Sequence, residues 1–124
     1  MNEILIIAGG FYMLALIVFH VLFWRLFHWP ESLTSLNRIN KSTIQVLNLS
    51  ITFIFCIFAY LSFAHTDDLI TTELGKSLLL LVSTLWLFRA ALQVLFYGFK
   101  HKASIGLTLY FLIGALLYGG ALLA

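Results

Sequence analysis

Apolar residues gather in four long runs, residues 4–24, 43–64, 77–99 and 105–123, separated by short polar stretches. Each run has about 20 residues, which at 1.5 Å rise per residue crosses a hydrocarbon layer of about 30 Å as a helix. Helices are the expected form, since a lone spanning segment must satisfy its own backbone hydrogen bonds. The first connector, residues 25–42, is the long one. In it Pro30 suits a first helical position, and Leu33, Leu36 and Ile39 recur at a spacing of three among Ser, Thr and Asn. That spacing predicts a short interfacial helix over residues 31–40. The pattern as a whole predicts an all-α membrane protein, a four-transmembrane-helix bundle forming one domain over residues 1–124. No Pro/Gly-rich linker or repeat divides it.

Composition narrows the class without changing it. The chain is 62% hydrophobic and 10% charged, with a mean hydropathy of +1.04. A soluble domain of this size needs far more charged surface, so the lipid bilayer is the expected surroundings. A net charge of +2 is too small to argue for nucleic acid. No Lys or Arg precedes the first apolar run, so the first helix is expected to be retained rather than cleaved as a signal peptide. The single cysteine, Cys56, lies inside an apolar run and allows no intrachain disulfide.

The placement of charge predicts topology. Loop 1 carries Arg25, Arg38 and Lys41, and loop 3 carries Lys100 and Lys102; loop 2 carries Asp67, Asp68 and Glu73 against Lys76, and Glu3 lies in the N-terminal tail. The positive-inside rule then puts loops 1 and 3 in the cytoplasm and both termini outside, as in a bacterial inner-membrane protein. Trp24 and Trp29 beside Arg25 suit anchors at the inner interface.

One residue breaks the apolar pattern. Arg89 sits near the middle of the third run, and no Asp or Glu lies in any of the four. A cation there costs several kcal/mol, so an intramembrane Arg marks an anion or carboxylate site more often than packing. Trp86, Gln93 and Tyr97 share its helix face at offsets of −3, +4 and +8. The second run carries Gln45, Asn48, Thr52, Cys56 and Tyr60, read as one polar stripe. Counting depths from the inner boundary brings His20, Asn48, Gln93 and Arg89 to similar height in the inner half, with Gln45, Tyr97 and Tyr110 toward the cytoplasmic mouth. An amide oxygen or neutral imidazole can accept from guanidinium. His20 either orients Arg89 or acts as an acid/base group. Taken singly, Gln45, Asn48, Thr52 and Ser83 read as interhelical hydrogen-bonding residues.

Other chemistries fit less well. His65 lies at the outer end of the second run and His20 in the inner half, so they cannot share a haem plane, and the spacing of His28 and His101 is not diagnostic of a metal site. No metal is expected. A thiol buried among apolar side chains makes Cys56 a poor nucleophile, and a proton-coupled pump normally needs an intramembrane carboxylate. The fourth run is uncharged; Gly114, Ala115 and Gly119 form a small-residue face that lets another helix approach closely, in this subunit or another.

The segment Arg89-Ala-Ala-Leu-Gln-Val-Leu-Phe-Tyr97, the connector Lys100-His101-Lys102-Ala-Ser104 and then Tyr110 resemble the third helix and the start of the fourth in the MAPEG family, the membrane-associated proteins of eicosanoid and glutathione metabolism. Residues 38–48 are weakly similar to that family's second-helix start. The resemblance covers about half the chain. It implies a four-helix homotrimer with glutathione as a ligand. The acidic residue that family carries on its second helix is absent here, with Gln45 or Asn48 nearby, and residues 20–29 have no counterpart.

Three functional expectations follow. The first is a homo-oligomer with a cytoplasm-facing polar pocket that binds an anionic amphipathic ligand. Arg89 would hold the anion, with Gln93, Asn48, Gln45 and Trp86 around it. His20 and Tyr97 would be the candidate proton donors if chemistry occurs, as in a MAPEG-like transferase or isomerase. The second is a non-enzymatic subunit or assembly partner of a larger membrane complex, and the third a small anion transporter or channel.

Overall fold

The computed structural model describes residues 1–124 as an all-helical bundle. Seven α-helices follow in order: α1 (Asn2–Val21), α2 (Phe23–Leu26), α3 (Trp29–Ser32), α4 (Arg38–Ala64), α5 (Thr66–Thr71), α6 (Glu73–Tyr97) and α7 (Lys102–Leu123). A 3-10 turn, Leu33–Ser35, follows α3. Helices α1, α4, α6 and α7 are long and apolar enough to cross a membrane. Their outer faces are apolar too, with Leu47, Phe53, Leu81, Phe88 and Leu116 exposed. In water such a surface would aggregate; in a bilayer it is solvated.

The long helices overrun the apolar runs at their polar ends because caps sit outside the hydrocarbon. Asn37 accepts from the Asn40 N–H through Oδ1 at 2.8 Å and so starts α4 at Arg38, five residues before the apolar run. Thr72 Oγ1 does the same for α6 through the Gly75 N–H at 2.9 Å. The Asn37 cap also corrects the expected helix over residues 31–40. Leu36 and Asn37 are extended, with ψ of 150° and 165°, so the loop-1 helix is cut to α3 and its 3-10 turn. His28, left-handed at φ 50°, turns the chain into α3. At the far end of α6, Gly98 takes φ 68°, which suits glycine, and releases the chain toward α7.

Helix α1 packs against α4 on one side and α7 on the other, and α7 packs against α6, whereas α4 and α6 barely touch. Going round the bundle the order is α4, α1, α7, α6, with a loosely closed seam between α4 and α6. Asn2 Nδ2 donates to the Ala124 carbonyl at 3.1 Å, so both termini share the end that carries the α4–α6 connection.

Close approaches hold α1, α7 and α6 together. A Cβ on Gly9 would lie 2.6 Å from Tyr118 Cζ, and one on Gly114 2.6 Å from Tyr12 Cζ. Ser83 Oγ donates to the Ala115 carbonyl at 2.9 Å and stands where a Gly119 Cβ would go. The small-residue face of the fourth run is therefore used by α1 and α6 of the same chain. Tyr12 and Tyr110 form a reciprocal clasp: Tyr12 OH donates to the Tyr110 carbonyl at 2.8 Å and Tyr110 OH to the Tyr12 carbonyl at 2.7 Å. Their rings stack at 4.1 Å.

Buried polar groups divide the core into halves. Asn48, Thr52, Gln93, Ser104 and Thr108 lie toward the loop-1 and loop-3 end, while Ser62 is the buried polar residue of the other half. There Ser62 Oγ lies 2.8 Å from Tyr118 OH, beside a narrow apolar groove in the seam lined by Phe58, Leu61, Leu78, Leu79 and Val82.

Candidate anion site around Arg89

Helix α6 turns Trp86, Ala90 and Gln93 inward at helical spacing. Arg89 stands beside that buried row and is half-buried. Its guanidinium carbon lies 4.5 Å from the Phe111 ring centroid. Phe111 is nine residues into α7 from the loop-3 end. At 1.5 Å per residue this places the charge roughly 14 Å from the loop-3 end of α7.

Phe111 belongs to an aromatic column that spans the bundle. It stacks on Trp86 at 5.8 Å with an interplanar angle of 4°. Trp86 in turn stacks on Phe55 of α4 at 5.7 Å and meets the edge of Tyr12 of α1 at 5.4 Å. All four long helices thus contribute a ring to this column. A desolvated cation on a ring face gains about 2 kcal/mol, against an insertion cost of about 3 kcal/mol for a central Arg. Phe111 offsets much of that cost but leaves the charge unneutralised. Arg89 has no hydrogen-bond acceptor and no carboxylate partner; the one salt-bridge contact in the chain, His65 Nδ1 to Asp68 Oδ2 at 3.1 Å, is at the other end.

Gln93, one turn from Arg89, is 2% exposed and donates through Nε2 to Ser104 Oγ at 3.0 Å. Ser104 Oγ donates onward to the Gly98 carbonyl at 2.7 Å. That chain fixes the amide and leaves Gln93 Oε1 enclosed without a donor; Trp86 Nε1 is likewise enclosed without an acceptor. A buried polar atom left unpaired costs about 1–3 kcal/mol. Three unsatisfied polar groups therefore lie within two turns of α6.

The remaining expected site residues are placed differently. Asn48 is buried and reaches α1, but its Nδ2 donates to the His20 backbone carbonyl at 2.9 Å, not to the imidazole or Arg89. His20 Nδ1 is 2.8 Å from the Leu16 carbonyl, which can only accept. Nδ1 therefore carries the proton, and in the neutral ring Nε2 is left as an acceptor. The ring stacks on Phe23 at 4.5 Å and meets the edge of Phe55 at 5.0 Å. Gln45 accepts from Trp24 Nε1 at 2.9 Å and donates to the Lys41 carbonyl at 3.1 Å, so it ties loop 1 to α4. Tyr97 is 64% exposed at the end of α6, and Tyr110 is committed to its clasp with Tyr12. Neither lines a mouth.

The stripe expected on the second run is also rephased. The buried row of α4 is Asn48, Thr52, Phe55, Ala59 and Ser62, in steps of four and three, whereas Cys56 and Tyr60 face outward. Successive steps of four gain about 40° each on a helix of 3.6 residues per turn, so a stripe of fours walks round to the lipid side. Phe111 and Thr108 were not expected at the site, and Ser104 was named only as part of the loop-3 connector; Ser104 and Thr108, four apart on α7, were a legible pair of small polar residues.

A cleft of about 510 Å³ opens at the opposite end, lined by residues that include Glu3, His65, Asp67 and Asp68. Its carboxylates repel an anion, so it does not compete with Arg89 for that role. No family model matches the chain, and neither a curated protein nor a solved structure is significantly similar to it, which leaves the chemistry of these side chains as the ground for a function.

Proposed function

We propose that the chain is a small multi-pass membrane protein that binds an anionic amphipathic ligand at Arg89, in the polar half of the bundle. The observation that carries this reading is the lone guanidinium: it lies over Phe111, deep in the membrane, with no acceptor and no counter-charge. Asn48 and Gln45 are bonded to other groups, and the acceptors left free, Gln93 Oε1 and His20 Nε2, carry no charge, so a negative charge brought by a ligand is what Arg89 lacks. Charge placement supports loops 1 and 3 in the cytoplasm of a bacterial inner membrane, both termini outside, and access from the cytoplasmic half.

The likeness to MAPEG proteins adds an enzymatic form of the same reading. In it glutathione or a lipid is held by Arg89 in a homotrimer, with His20 or Tyr97 as proton donor. Tyr97, outward-facing here, would then have to meet the ligand from a neighbouring subunit. A complex subunit whose partner places a carboxylate against Arg89 is the competing reading, and it no longer has the Gly114, Ala115 and Gly119 face to dock on.

The test is direct. Protein in nanodiscs of zwitterionic lipid is titrated with a dodecyl-chain anion and compared with Arg89→Ala and Arg89→Lys. Saturable binding lost at least thirtyfold in Arg89→Ala and partly kept in Arg89→Lys is the expected outcome. Equal binding by all three, or a stoichiometric protein partner that releases on Arg89→Ala, would overturn the assignment.

A further inference from the structure

The unpaired groups beside Arg89 specify more than an anion. Trp86 Nε1 is a donor without an acceptor, and Gln93 Oε1 an acceptor without a donor; both side chains are 2% exposed. Gln93 cannot correct this by turning its amide, because Nε2 is held by Ser104 Oγ, which is itself donating to the Gly98 carbonyl. Along α6 the order is therefore donor, cation, acceptor. Along the helix axis their backbones are offset by about 4.5 Å from Trp86 to Arg89 and about 6 Å from Arg89 to Gln93. A simple carboxylate satisfies the first two and leaves Gln93 Oε1 orphaned. An α-hydroxy acid carries the missing donor, but its hydroxyl lies two bonds from the carboxylate carbon, too close to reach one turn further along. A phosphodiester with a short hydroxyl-bearing substituent offers diverging anionic oxygens to Trp86 and Arg89 and a hydroxyl further along to Gln93.

We propose that the site takes a phosphodiester head group bearing a free hydroxyl, of the glycerol-phosphate kind. This rests on the reading of Arg89 as an anion site. Access is through the α4–α6 seam, where the two helices barely touch and Phe55 against Trp86 bridges the gap. The alkyl tail of such a molecule stays in the bilayer outside the seam, since the groove of Phe58, Leu61, Leu78 and Val82 has room for only about 20 Å³.

Dodecyl phosphoglycerol and dodecyl methyl phosphate share one negative charge and one tail and differ in the hydroxyl donors. Binding of each to the full chain in zwitterionic nanodiscs is read by native mass spectrometry. The wild type should prefer the glycerol ester by about tenfold, the scale of one buried hydrogen bond. Gln93→Met should erase that preference, and Trp86→Phe should weaken both esters alike. Equal binding of the two esters by the wild type, with Arg89 still required, overturns this inference and leaves the anion reading standing. Binding of both esters unchanged in Arg89→Ala overturns the anion reading itself. Glycerol methyl phosphate separates the sources: binding as tight as that of the dodecyl ester assigns a soluble phosphodiester, and binding at least a hundredfold weaker assigns a lipid.

Discussion

Replacing Gln93 with Glu places a carboxylate one helical turn from the unneutralised Arg89, where side chains at i and i+4 meet. The substitution is nearly isosteric, so its effect is chiefly one of charge. Two unit charges about 4 Å apart attract by about 4 kcal/mol at an effective dielectric constant of 20. The cost is the Gln93 Nε2 bond to Ser104 Oγ, about 1 kcal/mol, and the desolvation of a second charge. A residual of only about 2 kcal/mol suffices to fill the guanidinium with an internal partner and weaken an anionic ligand about thirtyfold. Titration of Gln93→Glu protein with a dodecyl-chain anion in nanodiscs reads this directly, with Gln93→Met as the control that loses the amide and adds no charge. The control should lose at most about tenfold. Anion binding in Gln93→Glu as tight as in the control would refute the claim that Arg89 supplies the attraction.

Two further outcomes test the packing. Tyr12→Phe and Tyr110→Phe each remove one bond of the reciprocal clasp between α1 and α7 and should each lower stability in mild detergent by about 0.6 kcal/mol, and by no more than about 2 kcal/mol. A double-mutant cycle in which either single change costs nothing would show that the clasp does not hold those helices. A nitroxide on Cys56, which faces outward about 12 Å from the Ala64 end of α4, should be accessible to molecular oxygen and protected from a water-soluble nickel chelate. The reverse ranking would place that face of α4 in water rather than in lipid.

The four spanning helices were legible because a membrane helix is written in long runs of one character. Their ends were less so: Asn37 and Thr72 cap α4 and α6 from outside the apolar runs, and their role depends on which backbone N–H they face. Depth could be counted along the chain, and it put His20 and Asn48 at neighbouring heights, where a hydrogen bond does join them. Azimuth could not be counted the same way. An error of 40° at each step of four turned the expected stripe through Cys56 and Tyr60 to the outside, and it turned Asn48 toward a backbone carbonyl of α1. Phe111 escaped notice for another reason. Among polar groups that could solvate a cation it does not stand out, because an aromatic face solvates one without being polar.

A charge held deep in an insulating layer also lies partway through any electric field across it. Arg89 lies about 14 Å into a layer of about 30 Å, and a full crossing by one elementary charge is worth about 2.3 kcal/mol per 100 mV. An anion that reaches Arg89 from a negative cytoplasm moves down that gradient for nearly half the distance. Its occupancy should rise about fivefold per 100 mV. A diffusion potential imposed across proteoliposomes would reveal it, and occupancy indifferent to voltage would mean that the ligand does not reach Arg89 through the field. An anomaly of insertion thereby becomes a voltmeter, coupling what the protein holds to how energised its membrane is.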